Sequence, residues 1–282
     1  MLCWMNGQYI EDTELKISPF DHGFLYGLGF FETFRTYNGK PAFLQEHLER
    51  LHGALATYRI DFPYSLDEVA KVVAQLNDVA KDEDGYFRVN VSAGVHDIGL
   101  APSEYKAPTI IIFRKKLPPS TRGKEKDAVI LKIARNEPES GKRYKGHHYG
   151  NNVLARMELP SLAAHEGIFL TAAGCVAEGI TSNVFWVKND IIYTPSLDAG
   201  ILPGITRGWL INYLRQQGYA LEEGLFPAEQ LLHADECFIT NAVQELVPIK
   251  QLESVKLLGE AGPVYAKLHT TYIEELQRRV QG

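Results

Sequence analysis

Between Arg143 and Leu154 the sequence reads Arg-Tyr-Lys-Gly-His-His-Tyr-Gly-Asn-Asn-Val-Leu, with one lysine, Lys145, among polar groups able to orient a ligand. A lysine amine condenses with an aldehyde to an imine. Burial or a neighbouring positive charge lowers its pKa and makes it both nucleophile and base. Most lysines are solvated surface charges, so this chemistry needs support from elsewhere in the chain. Rival chemistries lack their signatures. Gly27-Leu28-Gly29 runs on into Phe30-Phe31-Glu32 and is not G-x-G-x-x-G, and neither the phosphate-loop pattern G-x-x-x-x-G-K-[ST] nor the serine-hydrolase pattern G-x-S-x-G occurs. His147 and His148 are adjacent, so they project differently, and no H-E-x-x-H or carboxylate partner stands nearby; no metal site is expected. Cys3, Cys175 and Cys237 are odd in number and lack C-x-x-C spacing, which reads as small buried residues rather than a disulfide framework or a zinc site.

The elements that must position such a lysine can be read from turns and periodicity. Asn6-Gly7 and Asn38-Gly39 supply the positive φ angles of two-residue hairpin turns, the second between Thr33 to Tyr37 and Pro41 to Phe43. Leu44, His47, Leu48, Leu51 and Leu55 recur at helical spacing, and a second helix from Ser65 to Ala80 opens with the Ser65/Glu68 capping-box pattern. Strands near Tyr86 to Ser92 and Thr109 to Phe113 complete a two-layer α+β unit over residues 1–117. Residues 118–127, with two prolines, a glycine and a run of charges, read as a linker. Over 128–282 the pattern predicts a larger α/β domain: a strand from Ala128 to Ile133, a helix from Gly150 to Ala164, a strand-rich block from Ile168 to Tyr193 turning at Asn189-Asp190, a helix from Thr206 to Gln217, a strand from Glu236 to Thr240 and a final helix from Pro263 to Arg279. The 282 residues and 45% hydrophobic content suit two domains.

A net charge of −6 gives no general attraction to nucleic acid, and no apolar run approaches the roughly 20 residues that cross a bilayer. No signal peptide precedes Asn6-Gly7, so the expected location is the cytoplasm.

The stretch from Lys145 to Ala155 resembles the K-x-x-N-Y-x-x-N-x-L-A signature of class IV, fold-type IV pyridoxal 5′-phosphate enzymes, with His148 where the pattern has Asn. Four further segments match in the family's order: Ser18 to Glu32, His47-Leu-Glu-Arg50-Leu51, Ala177-Glu178-Gly-Ile-Thr-Ser182-Asn183-Val-Phe185, and Gly200-Ile-Leu-Pro-Gly204-Ile-Thr206-Arg207. The family includes branched-chain aminotransferases, D-amino-acid aminotransferases and aminodeoxychorismate lyases. The resemblance implies pyridoxal 5′-phosphate held as an imine on Lys145, in a cleft between an α+β domain and a larger one, and a homodimer. It implies Glu178 facing the pyridine nitrogen, Tyr149 near the phenolic oxygen, and Arg50, Gly204, Ile205 and Thr206 around the phosphate. Ser182, Asn183, Asn241 and Ala242 would also face the cofactor.

Departures from the aminotransferase patterns bear on the reaction. Ala93 stands where D-amino-acid aminotransferases present an arginine, and Asn241-Ala242 replaces their Gly-Thr or Ser-Thr pair; both features look like the lyase branch. Such a substrate, aminodeoxychorismate, carries two carboxylates and needs local positive groups in an acidic protein. Arg35 is the first candidate, with Arg88, His96 and Tyr26 beside it and Arg143 and Arg207 behind them. Thr33 is expected to orient a proton.

Overall fold

Asn6 and Gly7, at φ 43° and 93°, turn β1 (Leu2–Met5) onto β2 (Gln8–Glu11) as the sequence predicts. A short helix α1 (His22–Tyr26) follows and ends on Gly27 in the left-handed region. Next come β3 (Gly29–Tyr37), β4 (Lys40–Pro41), α2 (Leu44–Thr57), α3 (Leu66–Ala80), β5 (Gly85–Ser92) and β6 (Thr109–Lys116). The strands form one antiparallel sheet in the order β2-β1-β6-β5-β3-β4. Alternation decides its faces. Phe30, Phe34, Phe87, Val89 and Val91 point to Leu48, Leu51 and Leu55 of α2 and Val69, Val73 and Leu76 of α3, while Phe31, Thr33 and Arg35 turn to the other face. Ser65 and Glu68 make the reciprocal capping box.

The second sheet has nine strands: β7 (Lys126–Ile130), β8 (His165–Leu170), β9 (Val176–Gly179), β10 (Asn183–Lys188), β11 (Ile191–Pro195), β12 (Leu221–Gly224), β13 (Glu236–Asn241), β14 (Glu245–Leu252) and β15 (Val255–Lys256). Its order is β12-β11-β10-β13-β14-β7-β8-β9, with β15 on β14; pairing is parallel at β11–β12, β14–β7 and β7–β8. Helices α4 (Gly150–Met157), α5 (Ile205–Gln216), α6 (Ala228–Leu232) and α7 (Pro263–Gln281) accompany it. Trp186, Ile239, Val247 and Ile249 anchor one core, and Phe169, Ala177, Ile180 and Ala155 another.

This computed structural model describes residues 1–281 except 82, 83, 101, 102, 118–121 and 123. The chain divides into two units: Met1–Ser120 with Tyr144–His148 and Leu276–Gly282, and Thr121–Arg143 with Tyr149–Glu275. Three expectations change. Lys145 and its neighbours belong to the first unit, not to the C-terminal one. Residues 118–121 and 123 of the expected linker lie outside the described residues, but Lys126 and Asp127 open β7 instead of ending a loop. Lys126 is buried, with Nζ 3.9 Å from Glu166, so a charge that reads as linker is a paired core residue. The helix expected to reach Ala164 stops at Met157, because Pro160 bars helical backbone at the residue before it and cannot donate to the ladder.

Candidate active site

In the first unit, residues 145–147 lie against β3 through an isolated bridge and its flanking backbone hydrogen bonds. Phe30 bridges Gly146, Phe31 N donates to Lys145 O at 2.9 Å, and His147 N donates to Gly29 O at 2.9 Å. Close approach explains the Gly-Leu-Gly that carries no nucleotide motif. A Cβ on Gly29 would sit 2.3 Å from the His147 ring, and one on Gly27, itself at φ +65°, would sit 2.6 Å from His148. With its backbone pinned, Lys145 brings Nζ to 4.8 Å from the Phe31 ring centre, and the Arg88 guanidinium stacks on the same ring at 3.5 Å.

Arg88 is oriented from β5. Register places it opposite Thr33, and Asn90 opposite Phe31. Asn90 Oδ1 accepts from Arg88 Nε at 3.1 Å and from His147 Nε2 at 3.0 Å, so His147 carries its proton on Nε2. Burial, with the Arg88 charge adding to it, pushes the His147 pKa down to about 4. Lys145 and Arg88 thus meet on the Phe31 ring, and Thr33 stands opposite Arg88 in the sheet. Arg35, further along the same face of β3, stacks on Tyr37 at 4.6 Å. Tyr26 and His96 instead pack around His22 and Tyr105: the Tyr26 hydroxyl accepts from Gly99 N at 2.7 Å, and the His96 ring lies 4.9 Å from Tyr105.

On the helix-facing side of β3, Glu32 accepts from Arg50 Nε at 2.7 Å, Arg50 Nη2 at 2.6 Å and His47 Nδ1 at 2.7 Å. Arg50 is therefore gripped from the strand.

In the second unit, Glu178 on β9 is 4% exposed. Its Oε1 accepts from Arg135 Nε at 2.9 Å, with Arg143 Nε at 3.6 Å, and its Oε2 accepts from Leu202 N at 2.9 Å. Arg135 is fixed in turn by Asn151 Oδ1 at 2.7 Å and Asn152 Oδ1 at 3.3 Å, which gives the signature asparagines of α4 a task. Tyr149 stands at the N-cap of α4. Asn183 donates to Leu202 O at 2.9 Å and its Oδ1 lies against Gly204, the N-cap of α5. No side chain caps α5, so the first-turn N–H groups at Ile205 and Thr206 keep the open arrangement that receives an anion. The Thr206 hydroxyl pairs with Tyr272 at 3.1 Å. Ser182 is buried beside Gly179, where a Cβ would sit 2.0 Å from its Oγ. Asn241 folds back: its Oδ1 accepts from Val243 N at 3.0 Å and Gln244 N at 2.7 Å, building the turn that carries Ala242. Arg207 donates to Glu223 at 2.7 Å and to Pro195 O at 2.8 Å. Arg143 is bound to the Gly200 and Asn136 carbonyls, and burial, followed by the Arg135 charge, lowers its pKa to about 10.

Each unit carries groups of kinds that pyridoxal 5′-phosphate needs: a pinned lysine and a held arginine in the first, and a buried carboxylate paired with an arginine and an uncapped helix start in the second. Sequence reasoning missed Arg135, Asn90 and the partnership of Glu32 with Arg50. Only Glu32 gave a signal, as a carboxylate between Phe30 and Phe34 at inward strand positions. Among the described residues no group of three or more His, Cys, Asp or Glu side chains is placed to hold a metal ion, and no helix is long and apolar enough to cross a membrane.

Comparison with known proteins adds an independent line. Residues 29–252 match the model of the amino-transferase class IV family. The chain is 42% identical over 282 residues to the aminodeoxychorismate lyase of Bacillus subtilis (strain 168), covering 99% of this chain and 96% of that protein. The branched-chain aminotransferase of Thermoproteus uzoniensis, solved with norvaline, superposes with a TM-score of 0.89 at 27% identity, covering 99% and 95% of the two chains. The aminodeoxychorismate lyase of Vibrio harveyi is 27% identical over 256 residues, covering 90% of this chain and 92% of that protein.

Proposed function

The chain belongs to the class IV aminotransferase family and has the fold-type IV architecture, and from that premise we propose that it is a pyridoxal 5′-phosphate-dependent aminodeoxychorismate lyase, releasing 4-aminobenzoate and pyruvate. The observation that carries this reading is the near-full-length likeness to the Bacillus subtilis lyase. The Asn241-Ala242 turn supports it, since Asn241 is spent on backbone N–H groups and Ala242 has no hydroxyl to offer.

Bound, pyridoxal 5′-phosphate supplies an aldehyde for the lysine and a ring that draws electrons from the attached amine. The chain does the rest. Lys145 Nζ, aimed by the clamp on its carbonyl, takes the proton from the substrate ring carbon. Glu178, oriented by Arg135, keeps a proton on the pyridine nitrogen. Tyr149 serves the phenolic oxygen; Arg50 and the Gly204-Ile205-Thr206 turn serve the phosphate; Ser182 and Asn183 shape the strand end beside Glu178. Arg88 and Arg35 bind substrate carboxylates and Thr33 steers the proton. Loss of the ring proton and of the C–O bond leaves an aromatic ring. The departing enolpyruvyl group takes a proton to become pyruvate, so atoms balance without a 2-oxo acid.

That balance is the test. With aminodeoxychorismate alone, 4-aminobenzoate and pyruvate should accumulate in equal amounts over many turnovers. Rapid amino transfer from D-alanine or L-leucine to 2-oxoglutarate, with no 4-aminobenzoate formed, would establish the aminotransferase reading that the Thermoproteus likeness favours.

We place the reaction in folate synthesis in the cytoplasm, where the three unpaired cysteines stay reduced; recovery from a membrane or periplasmic fraction would refute this. The assembly proposed is a homodimer, because Phe24, Ile98 and Leu100 of the first unit and Met157 of the second are exposed apolar side chains. Light scattering should give twice the 31.6 kDa chain mass, and a monomer at working concentration would count against it.

A further inference from the structure

Glu32 occupies an inward position of β3, where an unpaired carboxylate would be strongly unfavourable. It is paired three times. Oε1 takes Arg50 Nε at 2.7 Å, and Oε2 takes both Arg50 Nη2 at 2.6 Å and His47 Nδ1 at 2.7 Å. His47 and Arg50 are three residues apart on α2, so one helix face delivers both to one strand residue. Glu32 and His47 side chains are 1% and 2% exposed; that of Arg50 is 12% exposed. The carboxylate and imidazole are thus the most buried members of the cluster, and Arg50 is the least buried. Its Nε and Nη2 are both committed to Glu32, so the guanidinium cannot turn.

Two effects oppose each other here. A carboxylate against Arg50 cancels part of its charge and weakens its pull on a phosphate. The same carboxylate removes the rotamer freedom of a long side chain, and a fixed fork binds oxyanions better than a loose one. Burial by itself raises the Glu32 pKa, yet the Arg50 charge and the His47 hydrogen bond overcome that and hold it at about 2. The clamp is thus intact at any working pH. His47 is kept from protonating mainly by burial, with the Arg50 and Lys145 charges adding to it against the pull of Glu32. A neutral His47 donating to Glu32 has its proton on Nδ1.

We propose that Glu32, seconded by His47, is a positioning residue for the cofactor's phosphate: it holds Arg50 in the phosphate-binding geometry, and the gain from fixed geometry exceeds the loss from charge cancellation. This rests on the reading above that Arg50 takes the phosphate of pyridoxal 5′-phosphate.

The two effects differ in sign when Glu32 is neutralised, which makes the test sharp. Apoprotein is titrated with pyridoxal 5′-phosphate and, separately, with pyridoxal, which can form the same imine on Lys145 but has no phosphate; imine absorbance reads both. In Glu32→Gln the dissociation constant for the phosphorylated aldehyde should rise by about tenfold or more, though the site has become more positive, while that for pyridoxal stays within about twofold. His47→Ala, which leaves the Arg50 pair and removes one support, should show the same selectivity at about threefold; it carries the test if Glu32→Gln does not fold. Unchanged or tighter binding of the phosphorylated aldehyde in the folded variants overturns the inference. So does an equal loss for both aldehydes, which would mark a merely structural role. Wild-type protein that forms no imine with pyridoxal 5′-phosphate defeats the cofactor reading itself, a result distinct from wild-type binding with indifferent variants.

Discussion

In the first unit Glu32 gives both oxygens to side chains of α2, whereas in the second Glu178 gives one oxygen to Arg135 and the other to the backbone N–H of Leu202. Both are buried glutamate–arginine pairs, and they are anchored from opposite ends. Arg50 depends on Glu32, which is fixed in the middle of a strand. Glu178 depends on Arg135, which Asn151 and Asn152 of α4 hold. In each pair one member is fixed by the scaffold and holds the other, and the held member is the one that the proposed function assigns to the cofactor. A buried ion pair contributes little net stability but fixes geometry, and losing one partner strands the other's charge.

The largest expected effect separates the two pairs by function. Glu178→Gln should retain the cofactor yet lose turnover by about 10²–10³-fold, because a neutral amide cannot keep the pyridine nitrogen protonated and that interaction matters most in the transition state. Steady-state kinetics beside the visible spectrum checks it; wild-type turnover would remove Glu178 from the mechanism and erase the contrast with Glu32.

Next in size is the anchor itself. Arg135→Met leaves Glu178 buried against Leu202 N and the more distant Arg143, and should cost about 3–5 kcal/mol of unfolding free energy. Denaturant melts measure it. A loss under about 1 kcal/mol would mean that Arg143 takes over the pairing, and the anchor would then be shared.

The smallest effect is acid sensitivity, which bears on the comparison because Glu32 and His147 both belong to the first unit. A carboxylate held near 2 in the folded chain, against an ordinary 4.5, adds stability that is complete above pH 4.5 and is lost as pH falls toward 2. His147, at about 4 against an ordinary 6.5, adds stability complete above pH 6.5 and lost as pH falls toward 4. Each limb amounts to at most about 3 kcal/mol. His147→Gln should flatten the limb between pH 6.5 and 4 in thermal melts and leave the lower one; an unchanged slope would show that His147 keeps no depressed pKa.

How much of this was legible depends on the range of the signal. The hairpins at Asn6-Gly7 and Asn38-Gly39, the Ser65 cap and the lysine and glutamate motifs are local patterns, and the structure keeps the turns, cap and helices they predict. Long-range pairing was not legible. Arg135 lies 43 residues from Glu178, and nothing around it marks it as a partner. Lys126 reads as linker because its charge is visible while Glu166 across the parallel strands is not. The membership of Lys145 in the first unit follows from its backbone bonds to β3, which side-chain patterns do not encode.

The central claim is that the β3 clamp aims Lys145 at the cofactor aldehyde, and one measurement addresses it directly. Protein incubated with pyridoxal 5′-phosphate is reduced with borohydride, digested and analysed by mass spectrometry. The account predicts a bleached visible band and one reduced adduct, on Lys145; an adduct on another lysine, or none with the protein folded, would contradict it.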